Sequence, residues 1–163
     1  TLSSSSAASD VYKRQMMYCT FKSIDKTLVP NVIANDTLDS LTITALGTDS
    51  IILNNEKKVH KVMLPLRYTS DSTIFILRYD PVRNWDNADT LYIVQQNTPY
   101  FQSMECGYMM KQNIISAKFG NKRNSAETID SIYLRNKEAN TNEIENLQIF
   151  FIYRERTPDE ETN

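Results

Sequence analysis

The sequence predicts an all-β domain, a two-sheet antiparallel β-sandwich of immunoglobulin-like general architecture with about eight or nine strands. Three observations predict it. Apolar residues alternate with period two over short stretches, turn residues separate those stretches at close intervals, and no 10–15-residue helical pattern alternates with them. Two of the stretches are apolar on both faces, as strands in the middle of a sheet are, and with the many short strands and frequent turns they point to a two-sheet sandwich, while the missing helical pattern argues against a doubly wound α/β fold. A barrel is the alternative closure.

The elements follow in order. Met16–Ser23 is the first strand, with Met17, Cys19 and Phe21 on one face. Lys26–Thr37, containing Pro30, reads as a loop. Leu38–Leu46 places Leu41, Ile43 and Ala45 inward and Thr42 and Thr44 outward, and Gly47-Thr48-Asp49 turns the chain into a short strand at Ser50–Leu53. A polar connection, Asn54–Lys58, leads to Val59–Leu66, where Val62, Leu64 and Leu66 share a face. Pro65 limits that stretch to a strand end or an edge. Thr73–Tyr79 (TIFILRY) reads as a central strand. Asp80–Ala88 is a loop carrying the only tryptophan, Trp85. Asp89–Gln96 is a strand expected to break at Thr98-Pro99 before the run Tyr100, Phe101, Met104 and Glu105-Cys106-Gly107. Asn113–Phe119, Thr128–Leu134 and Asn146–Tyr153 complete the set. The last puts Leu147, Ile149, Phe151 and Tyr153 on one face and Phe150 and Ile152 on the other, a second central strand.

The chain of 163 residues divides unevenly. Ser5–Gln15 reads SSAASDVYKRQ, the in-frame translation of a transposase adapter used in sequencing libraries. Thr1–Gln15 is therefore expected to be non-native and disordered, carried in from an environmental DNA sample, and is set aside. Met16 need not be an initiator, and a signal segment is expected to precede it in the natural protein. Setting that stretch aside removes Asp10, Lys13 and Arg14 and leaves 16 basic against 19 acidic residues. No clustered basic excess points to nucleic acid or to an anionic membrane surface. No apolar run approaches the roughly 18 residues needed to span a bilayer. Residues 16–154 form a single domain large enough to bury roughly two-thirds of its unfolded surface. Glu155–Asn163 is an acidic tail expected to be disordered.

The side chains able to carry chemistry are few. Cys19 and Cys106 are the only cysteines and lie most of the chain apart. They read as a structural disulfide provided that the protein is exported; closing so long a loop contributes about 4–5 kcal/mol in the chain-entropy model. Two free thiols, or one reactive thiol and a bystander, are the alternatives. No CxxC spacing exists, and His60 is the only histidine, so neither a metal centre nor a cofactor is expected. His60 sits in KKVHKVMLPL as a polar residue beside an edge strand. Three glycines leave no phosphate-binding loop. Asp80, Asp86, Asn87 and Asp89 have the residue types of a calcium site without its spacing, and turn chemistry accounts for them. Trp85, Tyr100 and Phe101 flank one strand and are candidates for an aromatic ligand surface, or for a cap on the core.

From Leu38 onward the order of DTLDSLTITALGTDSIIL, VMLPL, DTLYI with PYF and ECG, IDSIYLRN and ENLQIFFIY resembles the DUF6452 family of uncharacterised proteins from Bacteroidetes, over roughly Tyr18 to Tyr153. The resemblance implies an exported protein of the periplasm or outer membrane, often lipid-anchored through an N-terminal segment missing here, and Cys19 does not look like the lipidated cysteine. It implies no activity. The expected function is a non-enzymatic envelope binding or structural module whose partner is an envelope protein or a glycan. A carbohydrate- or peptide-binding accessory domain using Trp85, Tyr100 and Phe101, or a hydrolase pairing Glu105 with Asp89, are the alternatives.

Overall fold

A computed structural model describes residues 15–48, 50–79, 86–121 and 128–153. Those residues form ten strands and no helix: β1 (Met17–Asp25), β2 (Val32–Asn35), β3 (Leu41–Ala45), β4 (Ile51–Glu56), β5 (Lys61–Leu64), β6 (Ser72–Tyr79), β7 (Ala88–Ser103), β8 (Gly107–Asn121), β9 (Ser131–Leu134) and β10 (Leu147–Ile152). The expected adapter stretch up to Arg14, Asp49, the loop residues Asp80–Trp85, and the acidic tail lie outside the described residues.

The fold is the expected two-sheet sandwich. One sheet runs β2-β1-β10-β9, with β5 also pairing β1; the other runs β4-β3-β6-β7-β8. The β1 strand divides one edge between two partners: Met17–Thr20 pair with β5, and Lys22–Asp25 pair with β2. Its other edge pairs with β10 in parallel, Cys19 opposite Leu147 through Ile24 opposite Ile152. This parallel pair departs from the antiparallel expectation; every other strand pairing is antiparallel.

Period-two burial accounts for the core. Met17, Cys19, Phe21, Leu147, Ile149 and Phe151 from the first sheet meet Leu41, Ile43, Phe75, Leu77, Leu91 and Ile93 from the second. Phe151 joins the layers: its ring lies 6.2 Å from that of Phe21 and stands edge-on, 5.7 Å away, to that of Tyr79 across the sandwich. Leu64 and Leu66 are buried as the alternation requires, and Pro65 falls just beyond the end of β5. The two strands expected to be central are central, β6 between β3 and β7, and β10 between β1 and β9.

Three further expectations are corrected. The Lys26–Thr37 stretch is not all loop, because its Val32–Asn35 segment pairs with β1. All four of its residues are exposed, so no burial pattern marks it. Asn54–Glu56 continue β4 rather than leaving it. Most consequentially, β7 does not break at Thr98-Pro99; it runs on to Ser103 and pairs with β8 throughout.

Candidate functional site

The last β6–β7 pair is Ser72 with Val94. Beyond it β7 and β8 continue as a two-stranded ribbon, turn through Met104-Glu105-Cys106, and return. From Gln95 to Ser103 the ribbon extends about 26 Å at roughly 3.3 Å per residue. Gly107, at φ 66°, sits in the left-handed region that closes a three-residue hairpin loop, and the Cys106 N–H donates to Ser103 Oγ at 3.0 Å.

Side-chain parity along this arm is readable from its base. In β7, Asp89, Leu91, Ile93 and Gln95 are buried, so Asn97, Pro99 and Phe101 continue the core face outward. In β8 a bulge at Ile115, between the Val94–Ser116 and Gln95–Ile114 pairs, restores the phase. Ile114 and Gln112 are therefore buried, and Met110 and Tyr108 continue the same face. Phe101 and Tyr108 are a direct cross-strand pair with rings 5.6 Å apart, edge to face, yet 54% and 74% exposed. Met104 at the turn is 91% exposed. On the opposite face Tyr100 pairs with Met109.

Polar residues anchor the base of the arm. Gln95 and Gln112 are fully buried. Gln95 Nε2 donates to the carbonyls of Arg67 and Ser70, each at 3.1 Å, and Gln95 Oε1 accepts from Thr73 Oγ1 at 3.3 Å. Asn97 Nδ2 donates to Ser70 O at 2.7 Å, and Gln112 Nε2 donates to Asn97 Oδ1 at 3.0 Å. Gln112 Oε1 has no protein partner. An open cleft of about 860 Å³ lies beside this cluster, lined by Tyr68, Asp71, Gln96 and Ile115 among others. The outer edge of β8 is covered at the same level: Ile114 N–H donates to Lys137 O, and Ala139 N–H donates to Gln112 O. Gln15 Oε1 accepts from the Gln112 N–H at 3.1 Å, so the one described residue of the expected adapter stretch touches the domain.

The predicted site residues scatter. Cys19 is buried in the core and Cys106 lies in the arm's turn; no disulfide joins them, and the expected bridge is not formed. The unbroken β7 is the reason, since it carries Cys106 far beyond the roughly 7 Å Cα separation that a disulfide tolerates. Burial, with the Glu145 charge behind it, pushes the Cys19 thiol well above its ordinary pKa. Tyr100 and Phe101, as neighbours in a strand, face opposite sides of the ribbon and share no platform; Trp85 lies outside the described residues. Asp89 is buried at the far end of β7, where its Oδ2 accepts from Tyr79 Oη at 2.7 Å and from the Ile129 N–H at 2.8 Å. Glu105, at the tip, is about 45 Å away along the same strand, so the two carboxylates form no pair. His60 is exposed, and its carbonyl accepts from the Phe21 N–H. Among the described residues no three His, Cys, Asp or Glu side chains gather as metal ligands.

The residues that sequence reasoning missed are Tyr108, Met110, Gln95 and Gln112. The alternation Tyr108, Met110, Gln112, Ile114 was the available signal, masked by glutamines that read as surface residues.

A second polar cluster clasps the outer face of the first sheet. Glu145 accepts from Thr20 Oγ1 at 2.5 Å, from Gln148 Nε2 at 2.7 Å and from the Arg135 guanidinium at 3.1 Å. Partial burial works to raise the Glu145 pKa, but these hydrogen bonds and the Lys22 charge outweigh it and hold the carboxyl below its ordinary range.

A family model described as a family of unknown function, DUF6452, matches residues 40–151, from just before β3 into β10. No curated protein and no solved structure matches the chain.

Proposed function

The chain belongs to the DUF6452 family of unknown function, and from that premise we propose that it is a non-enzymatic interaction module of the bacterial cell envelope whose working surface is the β7–β8 arm. The observation that carries this reading is the exposure of Phe101, Met104 and Tyr108 on a ribbon held out from a rigid sandwich. Monomeric soluble proteins seldom present clustered large apolar side chains without a partner for them, and aromatic residues and methionine are enriched in such contacts. The anchor of buried Gln95 and Gln112 with half-buried Asn97 supports the reading, because it fixes the direction in which the arm points. The envelope setting rests on the family resemblance and is checked separately by fractionating cells of the native host.

A photo-crosslinking residue placed at Tyr108 tests the arm in those cells, with Tyr133 on β9, 57% exposed, as the matched control. Adducts concentrated at Tyr108 are expected. Equal background at both positions would remove the arm as the working surface. The exposed Phe101–Tyr108 pair also favours a second reading, recognition of a glycan or peptide. A glycan array probed with the wild type and with Tyr108→Ala separates the two, since only glycan binding predicts signal that the variant loses.

A further inference from the structure

We infer that the arm pairs with the arm of a second copy of this chain, edge to edge through Tyr108–Met110 of β8, forming a closed two-fold dimer. This rests on the reading of the arm as the working surface and names its partner.

The backbone supplies the geometry. Residues 112 and 114 direct their backbone groups to the outer edge of β8, where the Ile114 N–H meets Lys137 O, the Gln112 carbonyl meets the Ala139 N–H and the Gln112 N–H meets Gln15 Oε1. Strand parity aims the same groups of Met110 and Tyr108 at that edge. The covering segment does not continue there. Asn140 Oδ1 accepts from the N–H groups of Asn142 and Ile144, each at 3.0 Å, and Glu143 takes φ 59°, so the chain turns back toward β10. Among the described residues no other strand takes up the outward groups of Tyr108 and Met110, leaving a three-residue open edge between two apolar faces.

The opposite edge of the ribbon is closed to pairing. Pro99 shares the outward parity of Gln95, whose N–H donates to Asp71 O, and Pro99 has no N–H to offer. One open edge per copy permits a two-fold pair and blocks growth into a fibre.

A second copy also fits in register and charge. Antiparallel pairing about Met109 sets Tyr108 of each copy opposite Met110 of the other, with about four backbone hydrogen bonds and thioether–aromatic contacts. Between Gln96 and Lys111 the only charged side chains are Glu105 and Lys111. The pairing brings Lys111 of one copy diagonally toward Glu105 of the second, within reach of long side chains. Arm therefore meets arm without like-charge repulsion, although the whole chain is acidic.

Such an interface is small, below about 1,200 Å², and its association is correspondingly weak. Sedimentation of the full chain from about 5 to about 500 µM covers that range. The expected result is a concentration-dependent shift from monomer to dimer, weakened at least about tenfold by Met110→Pro, which removes one outward N–H and leaves the β7–β8 ladder intact. Should Met110→Pro misfold, Met109→Cys in a Cys106→Ser chain decides. Under a copper–phenanthroline oxidant it is expected to form dimers at least about tenfold faster than Ile33→Cys, an exposed strand position on β2, because only residue 109 faces itself across the two-fold axis. A chain that stays monomeric throughout, or Met109→Cys dimers no faster than those of Ile33→Cys, would overturn the pairing. If the Tyr108 adducts to another envelope protein persist in that case, the arm remains an interaction surface with a different partner; if they too are absent, both readings fall.

Discussion

Gln95 and Gln112 are where residue type and burial part company, and the consequences are unequal. Replacing Gln95 with leucine leaves the buried Thr73 hydroxyl without its acceptor and takes one donor each from the Arg67 and Ser70 carbonyls, which keep Asn97. Denaturant unfolding should show a loss of about 2 kcal/mol. Gln112→Leu also removes an oxygen that has no partner, and Arg67 O keeps its donors Gln95 and Asn97, so its cost should be under about 1 kcal/mol. The cysteines make a sharper test. A thiol reagent should count one reactive cysteine per native chain, Cys106, and two after denaturation. A count of zero in both states would establish the bridge that the structure lacks. Glu145 sets a pH dependence. Its folded pKa lies below the unfolded value, so its stabilisation is complete above the ordinary glutamate range and is lost as pH falls through the folded value. Melting temperatures recorded on the acid side should fall less steeply for Glu145→Gln than for the wild type.

At the scale of elements, the Ile115 bulge governs which side chains β8 buries. It lets Ile114 and Gln112 face inward on one side of it and Ala117 and Phe119 on the other. Ile115→Ala, at an exposed position, should change stability by no more than about 0.5 kcal/mol. Deleting Ile115 makes Ile114 and Ser116 consecutive opposite Gln95 and Val94, so the ladder closes without the bulge and Ile114 and Ala117 both stay on the core face; circular dichroism should stay native, with a loss of no more than about 1–2 kcal/mol on unfolding. Most elements were legible because their alternation is apolar: Leu41 and Ile43, Phe75 and Leu77, Leu91 and Ile93 each mark a buried face. The β2 strand was not legible, since Val32–Asn35 bury nothing and are held to β1 by backbone pairing and the Lys22–Asn35 side-chain hydrogen bond. The passage through Pro99 was missed for a related reason. A proline stops a strand that has neighbours on both sides, whereas here its missing N–H points to the ribbon's free edge and the ladder with Met110 loses nothing.

For the whole molecule, sandwich architecture followed from pattern, but pairing order did not. Local alternation carries no information on which strands become neighbours, and nothing near Cys19 or Leu147 announces that they lie side by side. The candidate site was only partly legible: Phe101 was marked, but its partner Tyr108 became visible once the hairpin register was known. Phe151 ties the layers together, and Phe151→Ala should cost about 3–5 kcal/mol in denaturant unfolding. The parallel β1–β10 pair has a mechanical consequence. The chain enters β1 at Met17 and leaves β10 at Ile152, at opposite ends of two strands running side by side. Tension between the two termini therefore slides β1 past β10, loading their hydrogen bonds in shear together rather than unzipping them in turn. A domain pulled from its ends in optical tweezers should hold to a high force and then yield in one step, whereas the hairpin arm, pulled across its open end, should peel apart gradually at low force.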